Sequence, residues 1–581
     1  MYQPDLSPVA DSLALSSLVA VLPLLTLFVL LGGLRMKAHW AGLASLAVAV
    51  AVAVTAYGMP ADLALLSASE GAAFGLFPIM WIVITAIWVY QLTVVSGRFE
   101  DLRRAFGLIS TDPRVQAVII AFCFGGLLEA LAGFGAPVAI TGVMLMGLGF
   151  APVRAAVTVL VANTAPVAFG AIATPIITAG NLTKIPYTEI GAYVGHQTPL
   201  VAFFVPLLLV ALVDGRRGVR QTWPVALVCG AVFGVAQFVS ATYLSVELTD
   251  IIASLAALAA VVLFLRVWRP QGGEEARADL HKAAEKEQAD GSAGQPSQPG
   301  HGDRPAAPSG TPGGQDRGAA TGTLPMAGAA QRIEGPRILM AFLPYLIIIG
   351  VFSLAKLVTP LKELLAASDV KFGWPGLDGE VLTAAGQASA TTVYTFPWLS
   401  SPGTLLLLSG VVIAAVYRVT PAAAAREFTA TLHKLRWALL TVATVLALAY
   451  VMNLSGQTIT IGTWIAGAGT AFAFLSPVLG WLGTAVTGSD TSANALFATL
   501  QQTAANKAGL DPTLLVAANT SGGVVGKMIS PQNLTIAATA VGLIGRESQL
   551  FRAAIKWSLM LLLALCLLVY LQSNVLAWML P

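Results

Sequence analysis

Asn163-Thr164-Ala165-Pro166-Val167-Ala168-Phe169-Gly170-Ala171-Ile172-Ala173-Thr174-Pro175 interrupts an apolar stretch, and 356 positions later the chain reads Asn519-Thr520-Ser521-Gly522-Gly523-Val524-Val525-Gly526-Lys527-Met528-Ile529-Ser530-Pro531. With the preceding Ala162 and Ala518 included, fourteen positions at that constant offset hold five identities and a Thr174/Ser530 exchange. Upstream, Ala130-Leu131-Ala132-Gly133 echoes Ala485-Val486-Thr487-Gly488 at an offset of 355. A pattern repeated once across a long chain reads as an internal duplication. Both copies place Gly or Pro, which loosen or end a helix, among hydroxyl and amide side chains.

The surroundings say what medium those copies occupy. With 56% hydrophobic and 10% charged residues and a mean hydropathy of +0.78, the chain is too apolar for a water-soluble fold, since soluble domains carry about 25% charged residues. Apolar runs of about 20 residues match the bilayer core. They are apolar on all sides, which favours a helical bundle over a barrel of alternating strands. A net charge of +3 gives no argument for nucleic acid. Cys123, Cys229 and Cys566 fall inside apolar runs without disulfide or metal spacing, so neither a metal nor a cofactor is expected. The first residues lack the basic region of a signal peptide, so the first helix is expected to be retained.

The expected fold is an all-α polytopic membrane protein of about 12 transmembrane helices in two inverted repeats, each with a re-entrant hairpin and a broken helix. The first repeat covers 1–222, with a hairpin at 115–149 and a broken helix at 152–180; a connecting helix pair covers 223–268. The second covers 337–581, with a hairpin at 471–504 and a broken helix at 512–545. Seven spans precede the first span of the second half, an odd number, which inverts one repeat against the other. Residues 269–336, rich in Gly, Pro, Ala and charge, read as a disordered cytoplasmic linker. Arg35, Lys37, Arg98, Arg216 and Arg546 fall on one face of this arrangement and Asp62, Glu70, Glu247 and Asp250 on the other. The excess of basic residues marks the cytoplasmic side, which puts both termini in the periplasm.

Four segments carry the expected chemistry: Gly125–Pro137, 163–175, Thr487–Asn494 and 519–531. Unwound backbone at membrane depth is tolerated only against protein or a polar cavity. A helix restarting there presents free amide groups and partial positive charge, which favour a carboxylate. Gly133, Gly135, Asn163, Thr164, Ser489, Thr491, Ser492, Asn519, Thr520, Ser521 and Lys527 are the candidate substrate-binding residues. Among them Thr164, Ser489, Thr491 and Thr520 suit a substrate 2-hydroxyl. The plainer reading of the Gly, Ser and Thr is close helix packing. Charged groups at depth cost about 2.5–3.5 kcal/mol on insertion scales and are therefore paired, neutralised or functional. Lys527 is expected to supply positive potential, partnered by Asp490 when the site is empty, and Glu129 or Asp490 to carry a coupling proton. Asp490 also suits a sodium ion held with nearby carbonyls. His196 reads as a histidine satisfied near the membrane surface, and His39 and Trp437 as interfacial residues. A membrane hydrolase would need a positioned base that nothing nearby supplies, and a channel would need rings of charge or carbonyls.

Glu129-Ala130-Leu131-Ala132-Gly133-Phe134-Gly135-Ala136-Pro137, Asn163 to Gly170, Gly488-Ser489-Asp490-Thr491-Ser492-Ala493-Asn494 and Asn519 to Asn533 closely resemble the bacterial L-lactate permease family. The likeness extends over most of 10–268 and 337–580. It implies a multi-pass protein of the bacterial inner membrane that carries lactate, and often glycolate, in symport with protons; a sodium-coupled carboxylate carrier of the same fold is the alternative. It also implies kinship with the ion transporter superfamily, in which hairpin-bearing transport domains move against a scaffold, often in a homodimer.

Overall fold

The computed structural model describes residues 1–107, 109–133, 135–292, 335–384 and 386–581. Helices dominate, and the exception among the described residues is a two-stranded antiparallel sheet, Val370–Gly373 with Val393–Phe396. Among the described residues, ten helices are long and apolar enough to cross a membrane. The difference from the twelve expected has a physical cause. The runs at 152–180 and 512–545 are interrupted, and Pro402–Val416 is short, whereas Pro113–Ala132 and Gln457–Thr487 reach spanning length. The 47-residue helix Thr198–Leu244 folds back on itself where Asp214 and Gly215 leave helical geometry. Its two limbs pack so closely that a β-carbon at Gly230 would lie 2.1 Å from the Phe203 carbonyl oxygen.

Both expected hairpin regions turn back. Pro113–Ala132 is followed by Ala136–Gly147, and Phe472–Thr487 by Asp490–Ala508, with Gly135 (φ 85°) and Gly488 (φ 79°) in the left-handed conformation at the turns. Only glycine adopts that conformation without steric penalty. The window scored in Pro113–Ala132 is completely buried, so its polar groups meet protein instead of lipid. The open ends of the hairpins lie at opposite ends of the bundle. At the first, Arg114 holds Asp214 at 3.1 Å, Gln221 at 2.5 Å and the Gln271 carbonyl at 2.6 Å. At the second, Gln502 donates to the Thr183 carbonyl at 2.9 Å and Tyr193 to Asp511 at 2.7 Å. The limb from Thr198 to Val213 joins one end to the other.

Pro152–Ala162 stops and restarts as Thr174–Thr183, and Pro512–Lys527 stops and restarts as Pro531–Ala540. Glycines bring the second broken helix against the second hairpin. A β-carbon at Gly480 would stand 1.8 Å from the Asn519 carbonyl oxygen, one at Gly522 2.0 Å from that of Pro477, and one at Gly526 2.4 Å from that of Trp481. Backbones this close are the reason for small residues at membrane helix interfaces.

The expected disorder across 269–336 does not hold over its first part, where Gly273–Ser292 is a helix; 293–334 lie outside the described residues. Ala276 and Leu280, one turn apart, are buried against the end of the first hairpin. Arg277 donates to the Thr111 carbonyl at 2.5 Å, and Asp279 pairs with Arg217 at 2.8 Å. Average composition concealed a short helix with acids in its first turn and one small apolar stripe. The region near 360–400 carries the small sheet, and Tyr2 is tucked beside it, donating to the carbonyls of Tyr57 and Ser455 at 3.0 Å.

Candidate functional site

The chain between Ala162 and Thr174 leaves the helix through an unusual sequence of left-handed residues: Gly170 (φ 50°), Ile172 (φ 47°) and Ala173 (φ 56°). For non-glycine residues such geometry costs on the order of 1–3 kcal/mol each and persists only where its surroundings enforce it. Here it swings the start of Thr174–Thr183 toward a cavity of about 1350 Å³.

Three helix starts and one helix end reach that cavity. Gly133 caps the end of Gly125–Ala132; Thr174 and Pro175 begin the first restart; Ser489, Asp490, Thr491 and Ser492 begin Asp490–Ala508; Pro531 and Gln532 begin the second restart. They approach in pairs from opposite ends. The Thr174 and Asp490 helices run together toward the Thr183–Gln502 contact, whereas the Ala136 and Pro531 helices lie side by side, with Ile536 against Gly135. Ser489 and Ser530 cap their own helices, accepting from the amides of Ser492 and Asn533. The two starts in the first half carry no side-chain cap among the described residues; the Ala136 amide bonds the Gly133 carbonyl, that of Thr174 bonds the Ala171 carbonyl, and the next residue in each is a proline without an N–H.

Lys527, the last residue of its helix, donates to Glu129 Oε1 at 2.6 Å, and both side chains are buried at the cavity wall. This corrects the expected Lys527–Asp490 partnership. Asp490 instead accepts from Thr484 at 3.3 Å and Asn494 at 3.5 Å, nested against Gly523, where a β-carbon would lie 1.8 Å from its Oδ1. The helix holding Glu129 supplies the nearer acid because its tip and the end of Pro512–Lys527 arrive from opposite ends of the bundle.

The candidate residues divide between the cavity and the packing behind it. Glu129, Gly133, Ser489, Asp490, Thr491, Ser492 and Lys527 line the cavity. Asn519, Thr520 and Ser521 do not; they belong to a fully buried polar network. Asn519 and Thr520 donate to Asn494 Oδ1 at 3.0 Å, Gln501 donates to Asn519 Oδ1 at 3.2 Å, and Ser521 donates to Gln197 at 2.6 Å. Asn163 and Thr164 border a small separate void beside Lys527. Gly135 serves the turn. His196 is tied to the Ala192 carbonyl at 2.7 Å and packs edge-on to Phe238, away from the cavity lining.

Other lining residues escaped the sequence reading. Arg35, His39 and Trp437 look like helix-end residues in sequence, yet all three face the cavity, with the His39 ring stacked on Trp437 at 4.5 Å. Gln532 had no distinguishing signal beyond its place after Ser530-Pro531.

A multi-pass helical protein whose interrupted helices reach a largely apolar cavity with a charged pair at its wall has the build of a membrane permease. The sequence profile of the L-lactate permease family matches residues 16–576, and the chain belongs to that family. It is 42% identical over 592 residues to the L-lactate permease of Bacillus subtilis (strain 168), covering 99% of each chain. It is 40% identical over 592 residues to "Glycolate permease GlcA" of Escherichia coli (strain K12), covering 100% of this chain and 99% of that one. The solved structure of the Alcanivorax borkumensis YdaH transporter shares a loose outline, with a TM-score of 0.42 at 14% identity over 87% of this chain and 86% of that one.

Proposed function

We propose that this permease imports lactate and related 2-hydroxymonocarboxylates, glycolate among them, in symport with protons by alternating access. The observation that carries the reading is the buried Lys527–Glu129 pair at the cavity wall, among three helix starts. The Lys527 ammonium and the partial positive charge of those helix ends favour a carboxylate there. Lys527 cannot serve a substrate carboxylate fully while Glu129 holds it. Protonation of Glu129 releases the ammonium, and the substrate carboxylate takes its place, so one proton and one anion enter the site together. Hydroxyls of Ser489, Thr491 and Ser492 line the same space and suit a 2-hydroxyl. Asp490, held by Thr484 and Asn494, is the second candidate for the coupling proton.

The same reading treats the two halves as inverted copies whose hairpins enter and leave on one side each. Contacts at opposite ends of the bundle support it. Arg35, Gly545 and Glu547 border the cavity, and the basic-residue bias assigns that side to the cytoplasm, so this conformation opens inward, with both termini outside. Uptake of labelled lactate into proteoliposomes tests the site. Lys527→Met removes a charged hydrogen bond and should weaken half-saturation about ten- to hundred-fold. Unchanged uptake and half-saturation would remove Lys527 from substrate binding.

A further inference from the structure

A third acid lies behind Glu129, outside the cavity lining. Asp250, near the start of Thr249–Val267, is 2% exposed, and neither carboxyl oxygen has a hydrogen-bond partner among the described residues. Helix register places it beside Glu129. The end of Thr249–Val267 lies near the start of Pro113–Ala132, where Arg114 holds the Gln271 carbonyl, so the two helices run antiparallel. They touch at Ser254, whose Oγ lies where a β-carbon on Gly126 would meet it at 2.3 Å. One turn back from Ser254 is Asp250; one turn on from Gly126 is Glu129. Ser254 Oγ and Glu129 Oε2 are likewise without partners among the described residues.

The charges acting on Asp250 are those of Glu129 and Lys527, and Lys527 also acts on Asp490. Glu247, three residues earlier, is turned to Tyr187 and Ser245. Three buried carboxyls therefore share one ammonium. If all were ionised, negative charge would stand uncompensated in a medium that tolerates it poorly, before any substrate carboxylate arrived. Glu129 has Lys527, and Asp490 has Thr484 and Asn494. Asp250 has no donor.

Resting on the proton-symport reading above, we infer that Asp250 holds a proton and passes it to Glu129 when substrate enters. The O–H bond at Asp250 breaks and one forms at Glu129 Oε2 once the two carboxyls close to hydrogen-bond distance. Glu129 becomes neutral and frees Lys527 for the substrate. Asp250 is left as a carboxylate, to be reprotonated from solution. The relay gives a role to carboxyl oxygens that have no hydrogen-bond partner among the described residues.

Proteoliposomes loaded with a pH-sensitive dye test the inference. Lactate added to the wild type should acidify the lumen as it enters. In Asp250→Asn, Glu129 lacks its proton donor, so lactate-driven acidification should fall about ten-fold or more and lactate entry should fall with it. Wild-type-like acidification in that variant overturns the relay and leaves proton symport standing. No acidification with the wild type, despite lactate entry, overturns both. If Asp250→Asn does not assemble, infrared spectroscopy decides with Asp250→Glu, which keeps the acid: the carbonyl band of a protonated carboxyl should shift in frequency relative to the wild type. A band that stays in place assigns the proton elsewhere and overturns the relay.

Discussion

Glu129 and Lys527 are 398 positions apart, and neither predicts the other in sequence. Each is legible as a charged residue inside a segment that should be apolar, because burying charge in a bilayer is expensive enough to demand a reason. Their pairing depends on which helix ends meet, and a single sequence does not contain that. The expected Asp490 partner was near in motif but is turned toward Thr484 and Asn494. In sequence Asp250 reads, with Glu247, as one of the acidic residues on the face opposite the basic ones. At this scale the prediction concerns competition for Lys527. An ionised Glu129 shares the ammonium with the substrate carboxylate, whereas in Glu129→Gln the competitor is neutral. Half-saturation for lactate in counterflow should therefore fall about ten-fold in Glu129→Gln, and an equal or higher half-saturation would refute the competition.

At the scale of elements, the interruptions were legible because Gly, Pro, Asn and Thr stand out against Leu, Val and Ala. The geometry within them was not. Nothing in Ile172-Ala173 announces left-handed backbone, which their surroundings impose. The helix Gly273–Ser292 was hidden for the opposite reason, its apolar stripe being too small to outweigh the polar average around it. Glycines at helix contacts had two readings, substrate path or packing, and Gly480, Gly522 and Gly526 serve packing. Gly522→Ala should therefore force Phe472–Thr487 and Pro512–Lys527 apart, costing about 1–3 kcal/mol or more as overpacking. Gly467→Ala, with nothing within 4 Å, is the matched control. Thermal unfolding in detergent should show a lowered midpoint for the first and little change for the second; equal midpoints would mean the helices are not locked by this contact.

For the molecule as a whole, hydropathy carried the reading as far as a helical, multi-pass membrane protein. Among the described residues ten helices are long enough to cross a membrane, fewer than the twelve expected, since the kinked helix Thr198–Leu244 holds two limbs and the interrupted helices are short. The position of the cavity follows from the meeting of those interruptions, with helix starts approaching from both ends. Such a site needs no permanent metal or cofactor to hold a small acid; the partial positive charge of helix ends and Lys527 suffice in principle. Its central claim is that the acid enters together with a proton. Labelled lactate uptake into proteoliposomes under separately imposed proton and sodium gradients measures this most directly. Concentrative uptake should follow an inward proton gradient and be unaffected by sodium; accumulation driven by sodium, with none driven by protons, would contradict it.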